Sequence, residues 1–177
     1  MITLLDKELC VKVIFSHGKE SGPWGTKIRF LANIAEEMGC QIQSIDYSDT
    51  LDPEKRVERL MQAIPKDDPE VLLVGSSMGG YVSLVTALQH KVRGVFLLAP
   101  AVAMPGYKVQ SYPVTCPVTC VHGWQDEIIP AENILNFAKQ LNITLHLIPG
   151  DHRLNDSLKA VGVLFKQFLF ERLTDQT

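Results

Sequence analysis

Four consecutive apolar residues, Val71 to Val74, run directly into Gly75-Ser76-Ser77-Met78-Gly79-Gly80, after which the apolar positions recur at helical spacing. A buried strand that must turn at once into a helix leaves no space for Cβ atoms beside the turn, and glycine supplies backbone angles forbidden to other residues. A serine carried on such a turn has its hydroxyl thrust out of the backbone. Ser77 is therefore the first residue to consider as a reactive group, although taken alone it reads more readily as a helix N-cap.

The rest of the chain repeats the strand-then-helix pattern, which predicts a parallel sheet with crossover helices. Strands are expected over 10–16, 41–45, 71–76, 94–99, 118–122 and 143–148. Helical spacing appears in Ile28, Leu31, Ala35 and Met38 before Gly39, and in Val57, Leu60, Met61 and Ile64 between Asp52-Pro53 and Pro65. Further helices are expected from Met78 to about His90, through Ile134, Phe137, Ala138 and Leu141 after Pro130, and from about Asn155 through Leu158, Val161, Phe165 and Phe168 or Leu169. The unbroken apolar runs 71–74 and 95–99 belong at the sheet centre, while the mixed runs 41–43 and 143–147 belong at its edges. The segment 100–117, with Met104, Pro105, Tyr107, Tyr112 and Pro113, lacks periodicity. It reads either as an ordinary surface loop or as a small wall over a site.

With 177 residues, 46% hydrophobic and 21% charged, the whole chain 1–177 is expected to form one domain. A net charge of −3 gives no electrostatic footprint for nucleic acid. Asp6, Lys7 and Glu8 interrupt any apolar leader, and no run is long enough to cross a bilayer, so a cytoplasmic protein without a membrane partner is expected. Cys10, Cys40, Cys116 and Cys120 read as reduced core residues rather than a disulfide framework or a metal site. Oligomeric state is left open.

In an open parallel sheet, ligands bind beyond the carboxyl ends of the strands. There the sequence places His17-Gly18-Lys19-Glu20 after the first strand, Ser77 after the third, Gly123-Trp124-Gln125-Asp126 after the fifth, and Gly150-Asp151-His152 after the sixth. A serine, a carboxylate and a histidine thus converge on one rim in the order Ser, Asp, His. Asp126 could instead cap the helix near Pro130, and Asp151 is a rival acid. Asp126 is preferred because neighbouring residues in an extended turn rarely aim their side chains at each other. His17 reads as a loop-positioning residue and also as a candidate substrate contact; His122, His90 and His146 lack chemical context. Trp24 and Trp124 read either as pocket lining or as core.

From residues 10 to 170 the sequence resembles the α/β-hydrolase superfamily, in particular its small bacterial members without a cap. The likeness rests on Phe15-Ser16-His17-Gly18 before the oxyanion loop, Gly75 to Gly79 at the nucleophile elbow, His122 to Pro130 as the acid loop, and Gly150-Asp151-His152 as the histidine loop. It implies a single-domain, three-layer α/β fold with a mostly parallel sheet of about six strands, helices on both faces and no cap domain. The family's usual N-terminal β-hairpin is not expected in the few residues ahead of Cys10, nor is the usual cap insertion after Ala99. The resemblance implies Ser77 as nucleophile, His152 as base and Asp126 as the acid that orients it. Backbone N–H groups of Met78 and Lys19 would form the oxyanion hole, with Gly18 or Glu20 replacing Lys19 if the loop is shifted. Substrate contacts are expected at His17, Gly18, Trp24, Trp124, Met104 and Tyr107.

The expected activity is that of a carboxylesterase-like serine hydrolase cleaving a small or exposed ester or thioester, with a small-molecule acyl substrate, no cofactor and no metal. A non-catalytic scaffold on the same fold, and a peptidase or acyltransferase using the same three residues, are the alternatives. Nucleotide binding by the Gly75–Gly80 run is disfavoured, because the run lacks both the Gly-Lys-Ser/Thr ending and the Gly-x-Gly-x-x-Gly spacing.

Overall fold

A computed structural model describes residues 11–65 and 70–175. Its elements in chain order are β1 (Lys12–Ser16), α1 (Thr26–Glu37), β2 (Gln41–Ile45), α2 (Pro53–Ala63), β3 (Val71–Ser76), α3 (Met78–Ala87), β4 (Gly94–Leu98), β5 (Val118–Gly123), α4 (Ala131–Leu141), β6 (Thr144–Ile148) and α5 (Leu158–Thr174). The six strands pair in parallel in the order β2-β1-β3-β4-β5-β6. The chain therefore winds one way from β1 to β2 and the other way from β3 onward, which opens a crevice beyond the ends of β1 and β3. Cys10 and the N-terminal segment to which the hairpin expectation applied lie outside the described residues.

Alternation along the strands builds two cores. Ile14, Leu73, Val95, Leu97 and Cys120 face one side, where they meet Val57 and Leu60 of α2, Tyr81, Val82 and Leu84 of α3, and Ile134 and Phe137 of α4. Val13, Phe15, Leu72, Val74, Phe96, Leu98 and Val121 face the other, against Ile28, Leu31 and Ala35 of α1 and Val161, Phe165 and Phe168 of α5. Every residue of β3 and β4 is buried, as expected for the sheet centre, whereas β2 and β6 are the edges and keep half-exposed positions. Cys116 and Cys120 are free thiols, Cys120 buried and Cys116 half-buried, and Cys40 is buried.

Local signals set the helix ends. Asp52 caps α2 by accepting the Glu54 N–H at 2.9 Å, with Pro53 in the first turn. Helix α1 closes at Gly39, whose φ of 83° suits a residue without Cβ. Two helices are shorter than expected. The α3 helix ends at Ala87 rather than His90, because Gln89 and His90 both donate back to the Thr86 carbonyl and tighten the last turn. Toward the other end of the chain, 156–157 form a turn and α5 starts at Leu158.

The segment 100–117 is pinned rather than loose. Ala101 N–H donates to the Ser77 carbonyl at 2.9 Å, and Tyr81 of α3 packs at a tilt against Tyr107 with 4.5 Å between ring centroids. Glu54 Oε1 accepts from the Tyr81 hydroxyl at 2.6 Å, and that hydroxyl accepts from Val109 N–H at 3.2 Å. Tyr112 is buried and Met104 packs half-buried against the core of α2, α3 and α4.

The tightest approach in the fold lies where α3 leaves β3. A Cβ on Gly79 would sit 2.0 Å from the Ser16 carbonyl oxygen at the end of β1, and one on Gly75 would sit 2.3 Å from the Gly79 oxygen. Backbone on both sides leaves no flexible group to yield. Gly79→Ala is thus expected to lower unfolding stability in urea by at least about 3 kcal/mol. Gly22→Ala, whose Cβ would meet nothing within 4 Å, serves as the control and is expected to change stability by less than about 0.5 kcal/mol.

Candidate active site

Ser77 occupies the turn between β3 and α3 with φ 53° and ψ −120°, a conformation that costs a non-glycine residue on the order of 1–3 kcal/mol. It makes no side-chain cap bond to α3, which removes the N-cap reading. Its Oγ instead lies 3.0 Å from Nε2 of His152, and Nδ1 of that ring lies 2.7 Å from Oδ2 of Asp126. A carboxylate only accepts, so Nδ1 carries the ring proton, Nε2 presents its lone pair, and the serine hydroxyl donates to it. Three side chains separated by up to 75 positions in sequence thus form one hydrogen-bonded chain beyond the ends of β3, β5 and β6.

Asp126 is 6% exposed and its carboxylate is fully engaged. Oδ1 accepts from the N–H groups of Ile128 and Ile129 at 2.9 and 2.8 Å, leaving Oδ2 for His152. The helix-capping reading fails, since α4 begins after Pro130 without a side-chain cap, and Oδ1 instead braces the turn that precedes it. The rival Asp151 is taken: its Oδ1 accepts from Arg153 and Leu154 N–H at 2.9 and 3.0 Å in a local turn. The loops of Asp126 and His152 are tied by Gln125, whose side-chain oxygen accepts from Gly150 N–H at 2.7 Å and whose own N–H donates to the Gly150 carbonyl at 3.0 Å. A Cβ on Gly123 would fall 2.2 Å from that same carbonyl, so the two loops touch backbone to backbone.

Of the two expectations for His17, the loop-positioning one fits the structure and the substrate contact needs correcting. Its ring is fully buried, Nε2 accepts from Tyr47 N–H at 3.0 Å, and Nδ1 consequently carries the proton and donates to the Gly18 carbonyl at 2.8 Å. Both nitrogens are used by backbone, so His17 holds the loop and offers no substrate contact. Gly18 itself is buried beside the serine, where a Cβ would come 3.4 Å from that of Ser77. Lys19 and Glu20 are exposed. The core reading for the tryptophans fails as well: Trp24 and Trp124 are 40% and 54% exposed, in the loops after β1 and β5. Met104 and Tyr107 are half-buried in the pinned segment that starts from the Ser77 carbonyl.

Three groups escaped sequence reasoning. Arg56 of α2 is fully buried, and its guanidinium donates only to the backbone carbonyls of His17, Gly18, Tyr47 and Thr50. A signal existed, since Arg56 sits one turn before Leu60 on the apolar stripe of its helix, where a solvated arginine has no place. Tyr47 is buried with its hydroxyl 3.0 Å from Ser16 Oγ, and burial pushes that phenol up to about 12. Lys27, at the start of α1, donates to the Arg153 carbonyl beside His152 at 2.9 Å, and burial lowers its ammonium to about 8. Two clefts of about 250 and 300 Å³, both lined by Cys116, Pro117 and Arg172, lie at the amino ends of the strands, the opposite end from Ser77.

Against known proteins, residues 12–112 match the profile of the uncharacterised protein family UPF0227. None of the curated proteins matches. Among solved structures, a candidate hydrolase of the alpha/beta superfamily from Xanthomonas campestris pv. campestris is 31% identical over 91% of this chain and 98% of its own, with a TM-score of 0.84. Est1E from Butyrivibrio proteoclasticus is 22% identical over 96% of this chain and 91% of its own, with a TM-score of 0.81, and has also been seen with ferulic acid bound. An alpha-beta serine hydrolase homologue from Coxiella burnetii is 22% identical over 90% of this chain and 85% of its own, with a TM-score of 0.69.

Two buried histidines near the site make stability depend on pH. Burial lowers both His17 and His122 below the ordinary 6.5. His122 Nε2 donates to the Ile129 carbonyl at 2.8 Å, and its Nδ1 has no partner among the described residues. Below 6.5 the unfolded chain binds more protons than the folded one, so the stability from these neutral rings is complete above that pH and is lost as the pH falls toward their folded values. The urea midpoint is expected to fall between about pH 7 and about pH 5. In His17→Gln, which removes one of the two titrations, the decline should be shallower; an unchanged slope would show that His17 contributes nothing to it.

Proposed function

The chain belongs to the uncharacterised protein family UPF0227 and to the α/β-hydrolase superfamily, and from that premise we propose that it is a serine hydrolase cleaving a small or exposed ester or thioester. The observation that carries this reading is the hydrogen-bonded chain from Ser77 through His152 to Asp126. Ser77 Oγ attacks the acyl carbonyl carbon while His152 Nε2 takes the hydroxyl proton. Asp126 keeps the ring in the tautomer with Nδ1 protonated and offsets the imidazolium charge. When the tetrahedral intermediate collapses, the carbon to leaving-group bond breaks and His152 returns the proton to the departing alkoxide or thiolate. Water, deprotonated by His152, then releases the acid from Ser77 by the same steps.

The negative oxygen of the intermediate is met by N–H groups of Met78, at the start of α3, and Lys19. No Met78 or Lys19 N–H donates to a backbone carbonyl among the described residues, which leaves both donors for a ligand. The substrate class follows from the segment 100–117. This pinned segment is tied to α2 and α3 through Glu54 and Tyr81, and Trp24 and Trp124 are exposed in the loops after β1 and β5, which supports an open rim in place of a cap that encloses the acyl chain. A short acyl or aryl group, held against such aromatic faces, suits that rim better than a long alkyl chain.

Wild-type protein is expected to hydrolyse short p-nitrophenyl esters and to be labelled by a fluorophosphonate. Ser77→Ala should lose both, with kcat reduced by about 10³-fold or more, and Asp126→Asn should lose about 10⁴ in kcat and take the label correspondingly slowly. Undiminished hydrolysis by Ser77→Ala would defeat the reading; a wild-type protein that neither turns over nor takes the label would favour a scaffold.

A further inference from the structure

The loop between β1 and α1 carries the expected oxyanion donor, yet a loop N–H stabilises a transition state only if it is aimed before the reaction starts. The structure holds an unusual device beneath that loop. Arg56 Nη1 donates to the carbonyls of both His17 and Gly18, at 3.3 and 3.1 Å. Nη2 and Nε fix the same guanidinium to the carbonyls of Tyr47 and Thr50 at 2.8 to 3.3 Å, and the Tyr47 ring lies 5.3 Å below it. No carboxylate pairs with Arg56 among the described residues, although the side chain is fully buried. An arginine taken out of water without an anionic partner is costly, and here backbone oxygens alone solvate it.

Peptide planarity gives that arrangement a consequence. In a trans peptide the C=O and the following N–H point in opposite directions. Anchoring the His17 and Gly18 carbonyls on Arg56 therefore turns the N–H groups of Gly18 and Lys19 away from the guanidinium, and His17 Nδ1–H on the Gly18 carbonyl reinforces the second of these. Neither N–H donates to a backbone carbonyl among the described residues, and Gly18 stands against Ser77.

We propose that Arg56 and His17 are positioning residues that lock the two peptide planes after β1, so that the Lys19 or Gly18 N–H is held toward the oxyanion formed at Ser77. The inference rests on the serine hydrolase reading. Because the guanidinium grips both carbonyls, a shift of the donor from Lys19 to Gly18 leaves the role of Arg56 intact. Lysine at this position keeps the charge but cannot span four carbonyls with one ammonium.

The test compares wild type, Arg56→Lys and His17→Asn, each checked by thermal unfolding, for kcat and KM on a p-nitrophenyl ester and for affinity toward phenylboronic acid, which forms a tetrahedral adduct on an active serine. For Arg56→Lys, kcat should fall about 10- to 100-fold with KM within about twofold, and boronate affinity should weaken in proportion; His17→Asn should show a smaller loss of the same kind. A change in folding stability alone would not weaken the boronate relative to KM. Wild-type values for kcat and boronate affinity in folded Arg56→Lys would overturn the proposal. Should that variant not fold, the amide resonances of isotope-labelled wild type decide: one of Gly18 or Lys19 should move downfield on adduct formation, and two unmoved amides would overturn it. Wild-type protein with neither turnover nor a boronate adduct would instead bring down the hydrolase reading itself, and this proposal with it.

Discussion

The contact on which the rest of this molecule depends is the one between Gly79 and the Ser16 carbonyl, where the first turn of α3 presses against the end of β1. Because that helix enters without any Cβ in the way, β3 can pass into α3 through a single residue. Ser77 is that residue, held at φ 53° by its own N–H on the Leu98 carbonyl and its carbonyl on Ala101 N–H, at 3.0 and 2.9 Å. The strain of about 1–3 kcal/mol is sustained by the two most deeply buried strands of the sheet. The same contact brings the β1 loop next to the serine, which is why Gly18 and Ser77 are neighbours.

Around this turn the protein keeps a layer of buried polar groups that an apolar core would otherwise exclude. Arg56, His17, Tyr47, His122 and Asp126 are all under 7% exposed, and all but Tyr47, whose hydroxyl meets Ser16 Oγ, use their hydrogen bonds mainly on loop backbone. Such groups are expensive to bury and are stable only when their partners sit in fixed places. They therefore act as rigid supports: one set under the β1 loop, the other under the loop of Asp126. Lys27 reaches across from α1 to the Arg153 carbonyl and gives the histidine loop a third attachment.

Much of this was legible in the sequence. Continuous apolar runs identified β3 and β4 as central, mixed runs identified β2 and β6 as edges, and Asp52-Pro53 and Gly39 marked helix ends, because each is a local signal with a local cause. Ser77, Asp126 and His152 were found through the rule that reactive groups gather at strand ends, and the structure brings those three together. Long-range relations were harder to read. The burial of His17 depends on Tyr47, 30 residues away, and Arg56 meets the Gly18 carbonyl across 38 residues, so neither pairing leaves a periodic trace. The tryptophans followed no rule, since an indole between core and rim looks the same in sequence either way. Turns at the end of α3 and the start of α5 differ from expectation by about one turn, the distance over which helix ends compete with tighter hydrogen bonding.

The central claim is that the hydroxyl raised by the β3–α3 turn becomes covalently acylated. Acid quenching during turnover of a slowly deacylating aryl ester, followed by mass spectrometry of the intact chain and its peptides, tests it directly. One acyl group per chain, located on Ser77, is the result expected; product release with the acyl group on another residue, or with no covalent species at any quench time although deacylation limits the rate, would contradict it.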